Sequence, residues 1–100
     1  GGESGYTAAR NLGLSDQAQY DNTVRQALAH SRDGEVIHWQ NTETGHTGIF
    51  RAVNTYQRSN GQSCRQYRAS VVFDDGIFSG GGVACQIANG TWVKLHDEFS

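Results

Sequence analysis

Between Thr44 and Phe73 the chain carries four arginines, Arg51, Arg58, Arg65 and Arg68, together with His46, and no aspartate or glutamate. A guanidinium offers a planar fork of N–H donors that fits the oxygens of a phosphate or a carboxylate. A stretch rich in that group and free of acids has the chemistry of an anion site. The competing interpretation is structural. Arginine stems cover a half-buried sheet face, and their heads pair with Glu35, Glu43 or Asp97.

Other chemistry is thinly supplied. His30, His38, His46 and His96 are scattered without the spacing of metal ligands, although His38 and His46 flank one loop near enough for a zinc site with Asp97 to be conceivable. There is no Gly-x-Ser-x-Gly and no phosphate loop. The glycines at 80–82 sit inside a strand pattern and read as a bulge. The paired carboxylates Asp74-Asp75 and Asp97-Glu98 fall at a turn and a tail, where water solvates them. Asn89-Gly90-Thr91 has the form of a glycosylation acceptor, but a tight turn explains it better. No catalytic constellation, metal or cofactor is expected.

The two cysteines, Cys64 and Cys85, stand on either side of Asp74-Asp75-Gly76. If Asp74 and Asp75 are the loop of a hairpin, Cys64 lies opposite Cys85. If Asp75 and Gly76 are the loop, Cys85 faces Gln66, and a bulge at Gly80–Gly82 restores the match. In both registers the cysteines share a face on adjacent strands, close enough to bridge. We expect a disulfide stabilising the fold by about 3 kcal/mol, and hence an oxidising compartment: periplasm, envelope or exterior.

One hundred residues make one domain. A net charge of −2 does not suggest a nucleic-acid partner. No apolar run reaches the roughly 20 residues that span a bilayer. No secretory signal is seen, as in a mature or trimmed chain. Thirteen glycines and several Asn-Gly and Asp-Gly pairs suggest many tight turns. Residues 1–14 read as a flexible lead-in and 15–100 as a single domain. A helix is expected over about 16–32, with Asp16 as N-cap, Gln19 completing a capping box, and Gly34 closing the far end. Its apolar stripe is Tyr20, Val24, Ala27, Leu28 and Ser31. Period-two patterns then predict strands at 35–40, 49–57, 63–73, 77–87 and 91–95. The fold class is α+β: one N-terminal helix packed on a five-stranded antiparallel meander, with strong curling or closure of the sheet left open.

Taking Asn60-Gly61 as a two-residue loop assigns the faces. Phe50, Ala52, Tyr56, Tyr67, Ala69, Val71 and Phe73 form the core, joined by Phe78, Ala84, Val93 and Leu95. The opposite face carries Cys64, Cys85, Arg51, Val53, Arg68, Val72, Ile87, Trp92 and Lys94. Gly80–Gly82 lie across from Tyr67 and Arg68, which can lean over the bare backbone.

Several short patterns recur together. They are WQNTETGHTG (39–48), TYQRSNGQSCRQY (55–67), GGVAC (81–85) and GTW (90–92). In this order they resemble the C-terminal domain of the bacterial 17-kilodalton-type surface-antigen lipoproteins, often joined to a glycine-zipper segment. The resemblance spans roughly residues 15–95. It departs from the family pattern at Thr42, where proline is frequent, and at Gln86, where arginine is frequent. It implies a Gram-negative envelope protein of the outer membrane or periplasm with no established catalytic activity. The lipid anchor that such proteins use for membrane contact is not within this chain.

The expected function is therefore a non-enzymatic envelope domain that binds a protein partner or an anionic envelope component. Lipid A phosphates, acidic phospholipid headgroups and peptidoglycan carboxylates are the candidate anions. The residues expected to carry binding are Arg51, Arg68 and Trp92 on the disulfide face, with Trp39, Asn41 and Gly45 at the loop. The alternative is a periplasmic inhibitor or immunity-like module that presents the 41–48 loop to an enzyme.

Overall fold

In the computed structural model one helix crosses one face of an open five-stranded antiparallel sheet. The described residues are 13–95. The elements are α1 (Leu14–His30), β1 (Val36–Gln40), β2 (Thr47–Gln57), β3 (Ser63–Phe73), β4 (Gly76–Gln86) and β5 (Trp92–Lys94). The sheet order is β1-β2-β3-β4-β5, so the meander is as expected and the sheet does not close. Most of the expected lead-in, residues 1–12, and the tail, residues 96–100, lie outside the described residues.

The helix stripe packs as its periodicity requires. Tyr20, Val24, Ala27 and Leu28 are buried against Trp39, Phe50, Ala52, Tyr67, Ala69, Val71 and Phe73. Phe50 stacks on Tyr67 at 5.2 Å, and Tyr20 meets Trp39 edge-on at 6.1 Å. These ring pairs add to the large areas that aromatic side chains bury. The start of the helix differs from expectation. Gly13 is the N-cap and supplies no side-chain cap. Asp16 lies in the first turn, buried, with its carboxylate turned to the β1–β2 loop rather than to the helix amides. Gly34 does not close the helix either. It takes φ 87° in the following turn, where Glu35 N donates to Arg32 O at 3.1 Å.

The cysteine hairpin has the first of its two registers. Phe73 pairs with Gly76, Cys64 with Cys85, and the disulfide is formed. The pairing runs unbroken, so no bulge occurs at Gly80–Gly82. Gly82 instead makes room for Tyr67: a Cβ there would stand 2.8 Å from the phenol oxygen.

The hairpin expected to turn on Asn60-Gly61 has one loop residue more, and the loop 88–90 has the expected length but sets β5 with the opposite facing. Arg58 N donates to Gln62 O and Ile87 N to Thr91 O, which leaves three-residue loops, 59–61 and 88–90. A two-residue type I′ loop needs positive φ at both central residues. Here only the glycines, Gly61 and Gly90, have it, and no non-glycine residue among those described does. One extra loop residue reverses the facing of the strand it feeds. The register of β5 with β4 puts Trp92 and Lys94 on the helix side: Trp92 packs on the core, and Lys94 sits 3.6 Å from Asp21. Val93 and Leu95, expected in the core, are exposed.

Strand β2 carries the remaining irregularity. Its register with β3 shifts between Ala52 and Asn54. Tyr56 is turned outward by this shift, and Thr55 is turned inward beneath the helix end. There Arg65, 5 % exposed, spends all five guanidinium N–H groups. Nε donates to Thr55 Oγ1, Nη1 to Ala27 O and Leu28 O, and Nη2 to Ser31 O and Asp33 Oδ1. The carbonyls at the end of a helix lack partners within it. Ala27 O is met by the backbone N of the cap residue Ser31, and the buried cation adds donors to Ala27 O, Leu28 O and the cap carbonyl Ser31 O at the negative end of the dipole. Thr55, which also donates to Asp33, together with Arg65 holds the Asp33 carboxyl below its ordinary range.

Candidate functional site

With α1 on one side, no other element among the described residues covers the other side of the sheet. Cross-strand pairing orders this open face into rows. Val36, Arg51, Arg68 and Gly81 form one; His38, Ile49, Ser70 and Ser79 the next; Gln40, Thr47, Val72 and Ile77 a third. No acid stands in any of them. Farther along the strands, Tyr56, Cys64, Cys85 and Val93 form the row that holds the disulfide.

Arg51 and Arg68 are directly opposed on β2 and β3, and both are exposed. Like charges so placed repel. Neither has an ion pair among the described residues, where the pairs are His46–Asp16, Arg65–Asp33 and Lys94–Asp21. Arg68 is settled over bare backbone: a Cβ on Gly81 would stand 3.0 Å from its Cδ and 3.1 Å from its Nη1. The two arginines border a hollow of about 260 Å³. Ser70 and Ser79 line the same hollow, with their hydroxyls 2.8 Å apart. Two guanidinium forks and two hydroxyls can together receive a phosphate or carboxylate.

The other expected site residues lie elsewhere. Trp92 is on the helix side, against the core. Trp39 is buried under the helix, its Nε1 without a hydrogen-bond partner among the described residues. Asn41 is buried and Gly45 takes φ 78° in the β1–β2 loop. The sequence-predicted set thus separates into the arginine pair on the open face and a loop group at the N-terminal end of α1.

The loop group is organised by residues whose roles the sequence did not disclose. Asp16 accepts from Asn41 Nδ2, Thr44 Oγ1 and His46 Nδ1, each at 2.7 Å. A carboxylate can only accept, so Nδ1 of His46 carries the proton. Burial pushes the Asp16 carboxyl up, but the hydrogen bonds from Thr44, His46 and Asn41 outweigh it and hold the group below its ordinary value. The His46 ring rests edge-on against Phe73 at 5.0 Å. An aspartate that orients a histidine is half of a nucleophile-activating set. No hydrogen bond from His46 Nε2 to a hydroxyl is found among the described residues, and both cysteines are bonded to each other. This cluster joins loop to helix. Thr44 and His46 flank Gly45, whose φ of 78° turns the loop, and both side chains reach Asp16. Among the described residues no group of three His, Cys, Asp or Glu is arranged to hold a metal.

Comparisons with known proteins agree with these motifs. The family model described as 17 kDa outer membrane surface antigen matches residues 26–93. The chain is similar to the 17 kDa surface antigen of Rickettsia conorii, 31 % identical over 74 residues, 74 % of this chain and 46 % of that protein. The Rickettsia prowazekii protein of the same name is 30 % identical over 81 residues, 81 % of this chain and 51 % of that one. The chain thus spans about half the length of the curated relatives it matches. No solved structure matches it.

Proposed function

The chain belongs to the 17 kDa outer membrane surface antigen family, and from that premise we propose that it is a non-enzymatic cell-envelope domain that binds an anionic envelope component through Arg51 and Arg68. The observation that carries this reading is the opposition of the two arginines on a face without acids, each lacking an ion pair among the described residues. A bound phosphate or carboxylate supplies the missing countercharge and removes the repulsion. The disulfide fits an oxidising compartment. No helix among the described residues is long and apolar enough to cross a membrane.

An inhibitor-like role would use the β1–β2 loop. That loop is short and tied to α1: Asn41 N and His46 O bond at 2.9 Å, and Asp16 grips it from below. The open face is the better-supported surface.

The test is to follow backbone amide shifts while adding lipid A, acidic phospholipid micelles or soluble muropeptides at physiological salt. Saturable shifts centred on Arg51 and Arg68 with at least one of them are expected. Flat spectra with all three would return the arginines to the role of sheet cover.

A further inference from the structure

The open face carries an apolar stripe beside its cation pair. Val36, Ile49, Val72 and Ile77 run diagonally from β1 to β4 and are 45, 37, 38 and 68 % exposed. Val36 shares the row of Arg51 and Arg68, Ile49 lies in the next, and Val72 and Ile77 in the third. With residue pairs about 7 Å apart along a strand and strands about 5 Å apart, the stripe is roughly 20 Å long. Two hollows follow it. The one of about 260 Å³ is bordered by the arginines, Val36 and Ile49. The other, of about 620 Å³, is bordered by Ile49, Val72 and Ile77. They share Ile49 and Ser70 and so adjoin, the arginines bordering one and Ile49, Val72 and Ile77 bordering the other together with His38, Gln40 and Thr47.

A small inorganic anion would use the cationic end and leave the apolar end wet. A second copy docked face to face would add two more arginines to an interface without an acid. The charge and the shape together fit an amphiphile. We propose that the open face takes a single phosphate-headed lipid, its phosphate on Arg51 and Arg68 and one acyl chain along Ile49, Val72 and Ile77. Ser70 and Ser79 lie where the chain meets the head, and their hydroxyls can turn to the ester oxygens. This inference rests on the anion-binding reading of the same face and specifies its ligand.

The experiment uses phosphatidic acids with two butyroyl, hexanoyl or octanoyl chains, each below its micelle concentration, titrated into labelled protein. Glycerol 3-phosphate is the head without a tail, and dioctanoyl phosphatidylcholine is the tail with a neutral head. Full burial of a methylene is worth roughly a fourfold change in affinity. A groove that covers one side should give about twofold per methylene on the seated chain. The expected result is tightening along the phosphatidic acid series, with shifts at Ile49, Val72 and Ile77 as well as at the arginines. Val72→Thr, an isosteric change at an exposed site, should flatten the chain-length dependence while leaving glycerol 3-phosphate binding unchanged.

Glycerol 3-phosphate binding as tightly as the dioctanoyl lipid, with shifts confined to the arginine row, would overturn the amphiphile and leave the anion reading standing. Equal binding of the phosphatidylcholine, unaffected by Arg51→Gln with Arg68→Gln, would overturn both. No binding of any probe would overturn the lipid and leave the anion reading to the muropeptide titration. A concentration-dependent dimer whose interface shifts map to the stripe in the absence of lipid would make the face a self-interface and overturn the proposal.

Discussion

Trp39 and Gly48 are paired across β1 and β2, and the indole fills the space that a side chain at Gly48 would need. A Cβ at Gly48 would meet the indole ring and would also stand 2.6 Å from Ser70 O. Backbone on one side and a buried ring on the other leave nothing to yield cheaply. Gly48→Ala is therefore expected to destabilise by about 1–3 kcal/mol. Urea denaturation followed by tryptophan fluorescence measures it, and an unchanged midpoint would mean the indole has room to move.

Arg65 joins sheet to helix, and lysine cannot replace it. An ammonium has three donors on one atom, whereas five acceptors surround the guanidinium here. Arg65→Lys should cost at least about 2 kcal/mol, because helix-end carbonyls lose charged donors. Hydrogen exchange should show the loss first in the last turn of α1, before the strands respond.

Acid should weaken the fold through Asp16. Its carboxyl titrates below the ordinary value of 3.8 in the folded state. A depressed pKa contributes stability that is complete above the unfolded value and is lost as pH falls through the folded one. Stability measured by urea denaturation should thus fall below about pH 3.8, and Asp16→Asn should make that acid limb shallower while lowering stability at neutral pH. An unaltered acid limb would show that other groups govern it.

Reduction should be costly. The bridge spans a sequence separation of 21, which the chain-entropy treatment converts to about 3 kcal/mol. The double variant Cys64→Ala, Cys85→Ala should lose that much, and a reductant should lower the melting temperature of the native protein but not of the variant.

Periodicity disclosed what depended on it alone. Tyr20, Val24, Ala27 and Leu28 at helical spacing, and Tyr67, Ala69, Val71 and Phe73 at period two, are where their patterns place them. Arg68 shares the expected face with the disulfide because both follow from the alternation of β3, and Arg51 does so because the register shift after Ala52 offsets the extra residue of the 59–61 loop. The misplacements followed from single-residue choices. Asn60-Gly61 read as a two-residue turn, and one further residue in that loop changed the facing of Thr55 and Tyr56. Trp92 and Val93 were assigned the wrong faces although the loop before them, 88–90, lies where expected. The shift after Ala52 has its reason on another strand and in the helix, since it brings Thr55 to Arg65 and Asp33. Asp16 carried a plausible capping signal, but a loop 25 residues on supplied a better partner. Local pattern cannot weigh such contacts.

The arginine pair is the centre of the functional account, and binding to anionic vesicles tests it most directly. Each arginine near an anionic surface contributes about 1 kcal/mol. Co-sedimentation with phosphatidylglycerol vesicles at about 0.15 M salt should show the protein bound. The Arg51→Gln, Arg68→Gln variant should bind roughly 30-fold more weakly at a thermal stability no lower than the parent's, since the opposed charges repel. Equal binding by the two proteins would contradict the assignment of the open face as an anion site.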